Sequence, residues 1–111
     1  MNTNDAVPAL AAIAQEHRLA IYRLLVQAGP EGMAAGAIAD ALGLPPSSLS
    51  FHLAHLNRAG MIAQRRESRS LIYTADFERM NALVGFLTDK CCGGQPCGPL
   101  AQPASPPAKR A

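Results

Sequence analysis

All three cysteines of this 111-residue chain, Cys91, Cys92 and Cys97, fall within seven residues of one another. Three soft sulfur donors with no histidine close by match a soft ion that takes three ligands. Trivalent arsenic, with its lone pair, accepts three sulfurs in a pyramid. Cys91 and Cys92 are adjacent and can supply two of them. Gly93-Gly94 and Pro96 let the chain fold back so that Cys97 supplies the third. Zinc prefers four ligands in a closed tetrahedron and would need a water, a histidine from elsewhere or sulfur from a second subunit. A redox site is a further reading, in which two sulfurs close a disulfide and one thiol is left over. A cysteine nucleophile fits less well: it needs a helix N-terminus or a neighbouring base. These cysteines instead follow a predicted helix C-terminus, whose dipole disfavours a thiolate. Stray tail thiols are the plain alternative, but a random tail seldom gathers every cysteine of a chain.

A second cluster is basic. Arg65, Arg66 and Arg69 occupy three of five positions, with Glu67 between them and Arg58 upstream, while the whole chain carries a net charge of only +2. A local basic patch on a nearly neutral protein suits contact with phosphates. No apolar run approaches a membrane span. Residues 1–5 are polar and lack a basic stretch leading into an apolar one, so no secretory leader is expected. The expected compartment is the cytoplasm, where disulfides are not the default use of cysteine.

These groups need elements to hold them. Tryptophan is absent and aromatics make up 5% of the chain, so the core must be aliphatic, which favours helices. Residues 7–28 read as two tandem helices interrupted near 15–18. Leu10, Ile13 and Ala14 mark the first apolar stripe, and Leu19, Ile21, Tyr22, Leu24, Leu25 and Val26 mark the second. Gly29-Pro30 ends the run. Residues 32–42 give another helix on the spacing of Ala34, Ala35, Ile38, Ala39 and Leu42. Gly43 stops it, and Pro45-Pro46 opens the next, with Leu49, Leu53 and Leu56 as its buried stripe. Helix, short glycine-containing turn and helix make a helix-turn-helix. The period then changes: 61–63 and 71–74 read as strands around a polar loop, 64–70, a hairpin with a basic tip. Asp76 caps a last helix carrying the stripe Phe77, Met80, Leu83, Val84 and Leu87. The expected class is mainly α with a small β-hairpin. Residues 1–90 form the domain, and 91–111 are a flexible cysteine-containing tail too rich in Gly, Pro and Ala to bury a core.

The stretch Leu49-Ser50-Phe51-His52-Leu53-Ala54-His55-Leu56-Asn57-Arg58-Ala59-Gly60-Met61-Ile62 resembles the recognition-helix segment of the ArsR/SmtB family of arsenical-resistance repressors. Arg69-Ser70-Leu71-Ile72-Tyr73 is similar to that family's wing strand, and Glu16-His17-Arg18-Leu19-Ala20-Ile21 to its early helix. The likeness spans roughly residues 7–92. It implies a winged helix-turn-helix repressor, homodimeric through its first and last helices. Such a repressor binds double-stranded operator DNA when empty and is released by a metal or metalloid. Two common family sites have no counterpart: residues 37–42 hold no cysteine, and the last helix holds no histidine. A glutamine near the start of the family's recognition helix is Pro46 here. Some members carry a C-terminal cysteine cluster, which supports Cys91, Cys92 and Cys97 as ligands for arsenite or antimonite. No organic cofactor and no catalysis are implied.

On this reading the DNA-facing residues are Ser47, Ser48, Ser50, Phe51, His52, His55, Arg65, Arg66 and Arg69. For Ser47 a helix cap is favoured over DNA contact, whereas Ser48 and Ser50 favour DNA. His52 points to a phosphate on the family match, against packing within the domain, and His55 divides evenly between DNA and plain surface. Phe51 suits a thymine methyl, or a core or interface position. The wing arginines suit backbone or minor groove, while Arg18 and Arg23 read as surface. A two-fold protein implies a palindromic operator with half-sites about one helical turn apart.

Overall fold

The computed structural model describes residues 1–94. Among the described residues, five helices and a small antiparallel sheet follow one another. They are α1 (Thr3–Ile13), α2 (Glu16–Ala28), a 3-10 turn (Gly29–Glu31), β1 (Met33–Ala34), α3 (Ala35–Leu42), α4 (Pro46–Arg58), β2 (Ile62–Glu67), β3 (Ser70–Ala75), α5 (Phe77–Leu87) and a final 3-10 turn (Cys91–Gly94). The mainly α winged helix-turn-helix is therefore the observed architecture.

The two tandem helices are present, and the first starts earlier than its apolar pattern suggests. Asn2 caps α1, its side-chain oxygen accepting from the backbone N–H of Asp5 at 2.9 Å. The buried face of α1 is Ala6, Ala9 and Ala12, not the larger residues. Alanines let the α1 backbone approach its neighbours closely, which turns Val7 and Leu10 outward. α4 begins on Pro46 with Pro45 as its cap and no side-chain capping bond, so Ser47 is not a cap. The fixed φ of proline suits the first helical position and starts the helix one residue ahead of the serines. Gly43, in the left-handed conformation, ends α3 as expected.

The sheet has the order β1-β3-β2, antiparallel throughout. β1 is the strand that residues 32–42 concealed; two residues carry no period to betray it. The hairpin is also longer than expected, pairing Ile62 with Ala75 through to Glu67 with Ser70. Only Ser68 and Arg69 make the turn, so Arg65 and Arg66 lie on a strand and not in a loop. Exposed along β2 beyond Ile62, the hairpin has no apolar alternation to mark its length.

One core holds these parts together. Ile21, Leu25, Ile38, Leu49, Leu56, Met61 and Leu83 are fully buried. Leu49, Leu53 and Leu56 of α4 supply the stripe expected of it. Of the α5 stripe only Leu83 is buried, with Met80 partly so. Asp76 does cap α5, its carboxylate accepting from the N–H of Arg79 at 2.9 Å. Among the described residues, no helix is long and apolar enough to cross a membrane.

Candidate nucleic-acid interface

α4 presents Ser47, Ser50, Phe51, Ala54, Asn57 and Arg58 outward, with Ser48 half-buried. Phe51 is 64% exposed, which rules out a core position within the protomer. Hydroxyls on the first turns of an unobstructed helix can donate to or accept from phosphates and base edges. Between α4 and the hairpin lies a cleft of about 190 Å³ lined by Ser50, Leu53, Ala54, Asn57, Gln64 and Tyr73. Asn57 and Gln64 bring amides, each both donor and acceptor, to the same side as Ser50. Attention to charged residues passes over them. The signal was the helical spacing of 50, 54 and 57, continued by Gln64 at the foot of β2.

His52 is on the other face. It is 9% exposed, its Nδ1 is buried without a hydrogen-bond partner, and its ring lies 5.5 Å from that of His17. The inner stripe of α4 runs Leu49, His52, Leu53, Leu56, and that periodicity turns the imidazole into the protein, away from any phosphate. Packing within the domain is its role in the protomer. Burial pushes its pKa down, and the neighbouring Arg18, His17 and His55 push it the same way. His55, half-buried one turn on, is lowered by burial and then by Arg18 and Arg58.

Arg18 is likewise not a surface residue. It is 9% exposed, and its guanidinium donates from Nε to the carbonyl of Ala12 at 2.6 Å and from a terminal nitrogen to that of Ala11 at 3.5 Å. The Ala11 carbonyl also accepts from the backbone N–H of Ala14 at 3.3 Å, whereas that of Ala12 lies past the last bond of the helix, and a cation at that end satisfies it.

The three wing arginines part company. Arg66 and Arg69 are exposed and make no ion pair or side-chain hydrogen bond among the described residues. Arg65 is engaged through each of its three nitrogens. Its Nε donates to Glu67 at 2.9 Å, and its two terminal nitrogens donate to the carbonyls of Pro30 at 3.2 Å and Glu31 at 2.9 Å.

Beyond α5 the sulfur atoms of Cys91 and Cys92 stand 3.6 Å apart in the last 3-10 turn. Cys91 is half-buried and Cys92 exposed, in a left-handed conformation at φ 55°. Among the described residues, no group of three or more His, Cys, Asp or Glu side chains could hold a metal ion. Cys97 and the rest of the expected tail lie outside the described residues.

Comparison with known proteins agrees with this geometry. A model of a helix-turn-helix domain matches residues 13–65. The transcriptional activator HlyU of Vibrio cholerae is 33% identical over 91 residues, covering 82% of each chain. Its solved structure superposes with a TM-score of 0.65 at 33% identity, across 83% of this chain and 99% of HlyU. The winged helix-turn-helix domain of Mb0332 from Mycobacterium bovis is homodimeric and described as a possible ArsR-family transcriptional regulator. It superposes with a TM-score of 0.62 at 29% identity, across 86% of this chain and 89% of that one. The chain belongs to the ArsR/SmtB family of winged helix-turn-helix regulators. It is thus a DNA-binding transcriptional regulator, from a family of regulators and not of enzymes. The nodulation protein NolR of Rhizobium meliloti is also similar, 35% identical over 80 residues. That match takes in 72% of this chain and 63% of NolR, so the chain spans less than two thirds of that relative. Within the ArsR/SmtB fold, α4 takes the place of the recognition helix and the β2–β3 hairpin that of the wing.

Proposed function

We propose that this ArsR/SmtB protein is a cytoplasmic homodimeric repressor that holds a palindromic operator when empty. Arsenite or antimonite, captured by Cys91, Cys92 and Cys97 in their reduced form, releases it. The observation that carries the sensing half is the pair of sulfurs 3.6 Å apart just after α5. Two sulfurs this close together suit capture by one shared soft ion. Cys97 supplies the third sulfur. DNA is met by Ser47, Ser48, Ser50, Phe51, His55, Arg66 and Arg69.

The dimer half rests on exposed apolar surface. Val7 (57% exposed) and Leu10 (36%) on α1, with Phe77 (40%), Val84 (36%) and Leu87 (55%) on α5, lie on two helices that pack together. A second copy would cover them. Capture of an ion at the end of α5 then acts on the helix that joins the subunits, and through it on the spacing of the two α4 helices. A coupling of about 1–3 kcal/mol weakens DNA binding about 5- to 150-fold.

The redox reading has support of its own. HlyU has also been solved in a form described as reduced, and neighbouring sulfurs are what a thiol sensor uses. One gel shift decides between them. The probe is a duplex enriched by the protein from a random-sequence library, titrated in parallel with arsenite, antimonite, zinc and peroxide. Release by the two metalloids without release by peroxide or zinc supports the proposal. Release by peroxide alone replaces it with the redox sensor, and release by zinc alone with a zinc sensor.

A further inference from the structure

Arg65 sits at the middle of β2, opposite Ile72 of β3, which in turn pairs with Ala34 of β1. The three residues therefore share one face of the sheet. From the edge strand the Arg65 side chain reaches over β3 to the turn that precedes β1. There its two terminal nitrogens meet the carbonyls of Pro30 and Glu31, while Nε is held by Glu67 two residues along its own strand. A guanidinium is the side chain suited to this task, because its rigid fork offers several donors in fixed directions. The turn it grasps runs directly into β1 and α3, the first helix of the helix-turn-helix.

We infer that Arg65 is a positioning residue that sets the pitch of the wing against the helix-turn-helix, and not a ligand of the DNA backbone. The inference rests on reading α4 and the hairpin as the DNA-binding surface. With one donor on each nitrogen committed to Pro30, Glu31 and Glu67, the guanidinium keeps two of its five N–H groups, and a phosphate would have to be met by those alone. What it controls is where Arg66 and Arg69 stand. Arg66 is the next residue along β2 and Arg69 is in the turn, so a change in the tilt of the hairpin moves both. Without the strut, the part of β2 beyond buried Ile62 is held to the body through its ladder to β3, and the wing tip samples orientations that do not match α4.

Salt dependence separates this role from a phosphate contact. A lysine or arginine that neutralises one phosphate releases counterions, and its loss lowers the slope of log K against log salt by about 1. A residue that only positions others weakens binding without that change. Binding of the intact chain to a duplex enriched from a random-sequence library is measured by fluorescence anisotropy across a potassium chloride series. Arg65→Gln is expected to weaken binding about tenfold, the equivalent of about 1.4 kcal/mol, at an unchanged slope. Arg65→Lys is expected to behave like Arg65→Gln, since it keeps the charge and loses the fork. Arg66→Gln is expected to lower the slope by about 1.

A drop in slope for Arg65→Gln, wild-type affinity in that variant, or rescue by Arg65→Lys overturns the strut. If Arg66→Gln also leaves the slope untouched, the wing does not meet phosphate and the underlying reading falls with it. A measurement on the wild-type chain stands apart from any folding defect in the variants. The carbonyl carbon resonances of Pro30 and Glu31 are expected to hold their positions when the duplex is added. Their movement to values of unbonded carbonyls would show Arg65 leaving for the DNA and would overturn the inference.

Discussion

The guanidinium of Arg18 closes the end of α1: its Nε donates to the carbonyl oxygen of Ala12 at 2.6 Å across the break between α1 and α2. The contact is nine-tenths buried and joins the helix carrying exposed Val7 and Leu10 to the helix that begins the core. Arg18→Ala leaves the Ala12 carbonyl without its donor, while that of Ala11 keeps the backbone N–H of Ala14. It is expected to cost about 1.5–3 kcal/mol, the range for a hydrogen bond involving a charged group. Urea unfolding should show a lower midpoint with an unchanged slope. A change below about 0.5 kcal/mol, ordinary for an exposed substitution, would mean that water replaces the guanidinium without loss.

His52 makes stability depend on pH. Burial and the cations around it hold its folded pKa below the ordinary 6.5. The unfolded chain therefore binds a proton more readily, and where it does so stability rises with pH. The contribution is complete above 6.5, falls away as pH drops below that value, and levels off once pH passes under the lowered folded pKa. His55 is shifted in the same direction and adds to the loss. No carboxylate is among the charges acting on either ring. Thermal unfolding between pH 8 and 5 (about the range over which histidine titrates) should show a falling Tm, and His52→Gln should flatten it. An identical slope in that variant would remove His52 as the cause.

The parts of this molecule that bury a periodic face were legible in the sequence. Leu49, Leu53 and Leu56 predict α4, and Asp76 predicts the start of α5, because helical spacing and capping are local signals. What escaped was set by tertiary structure. The two residues of β1 are a strand only because β3 lies beside them. The alanine face of α1 faces inward because small side chains allow close approach, which no apolar stripe announces. His52 and Arg65 look like DNA contacts by type and by neighbourhood. One is turned inward by the register of its helix, and the other is claimed by two carbonyls more than thirty positions away. Phe51 and Arg66, by contrast, are as accessible as a DNA role requires.

Gly32 is where the turn meets the sheet. Its φ is +70°, and an added Cβ would collide with the carbonyl oxygen of Tyr73 and fall 2.7 Å from the Thr74 methyl. An L side chain there has both an unfavourable backbone and no space. Gly32→Ala is expected to cost about 3 kcal/mol, combining the left-handed penalty with overpacking. The Tyr73 carbonyl belongs to β3, so the damage should spread to the β1–β3 pairing and the root of the wing. Amide hydrogen exchange would report it as lost protection at Met33 and Tyr73 ahead of the α4 core. Wild-type protection there would show that the turn yields without disturbing the sheet.

Cys91 and Cys92 lie beyond the last helical residue of α5 and far along the chain from α4 and the wing. Sensing and DNA binding should therefore separate by mutation. Replacing Cys91, Cys92 or Cys97 with serine removes one of three soft donors and leaves every residue of the DNA surface in place. Each variant is expected to bind the enriched duplex as the wild type does, and to stay bound at arsenite concentrations that release the wild type. X-ray absorption on the arsenite-treated wild type should show arsenic surrounded by three sulfurs, and on each variant by two at most. Loss of DNA binding in the variants without arsenite would make these cysteines structural. An arsenic spectrum without a sulfur shell in the wild type would leave the regulator in need of a different signal.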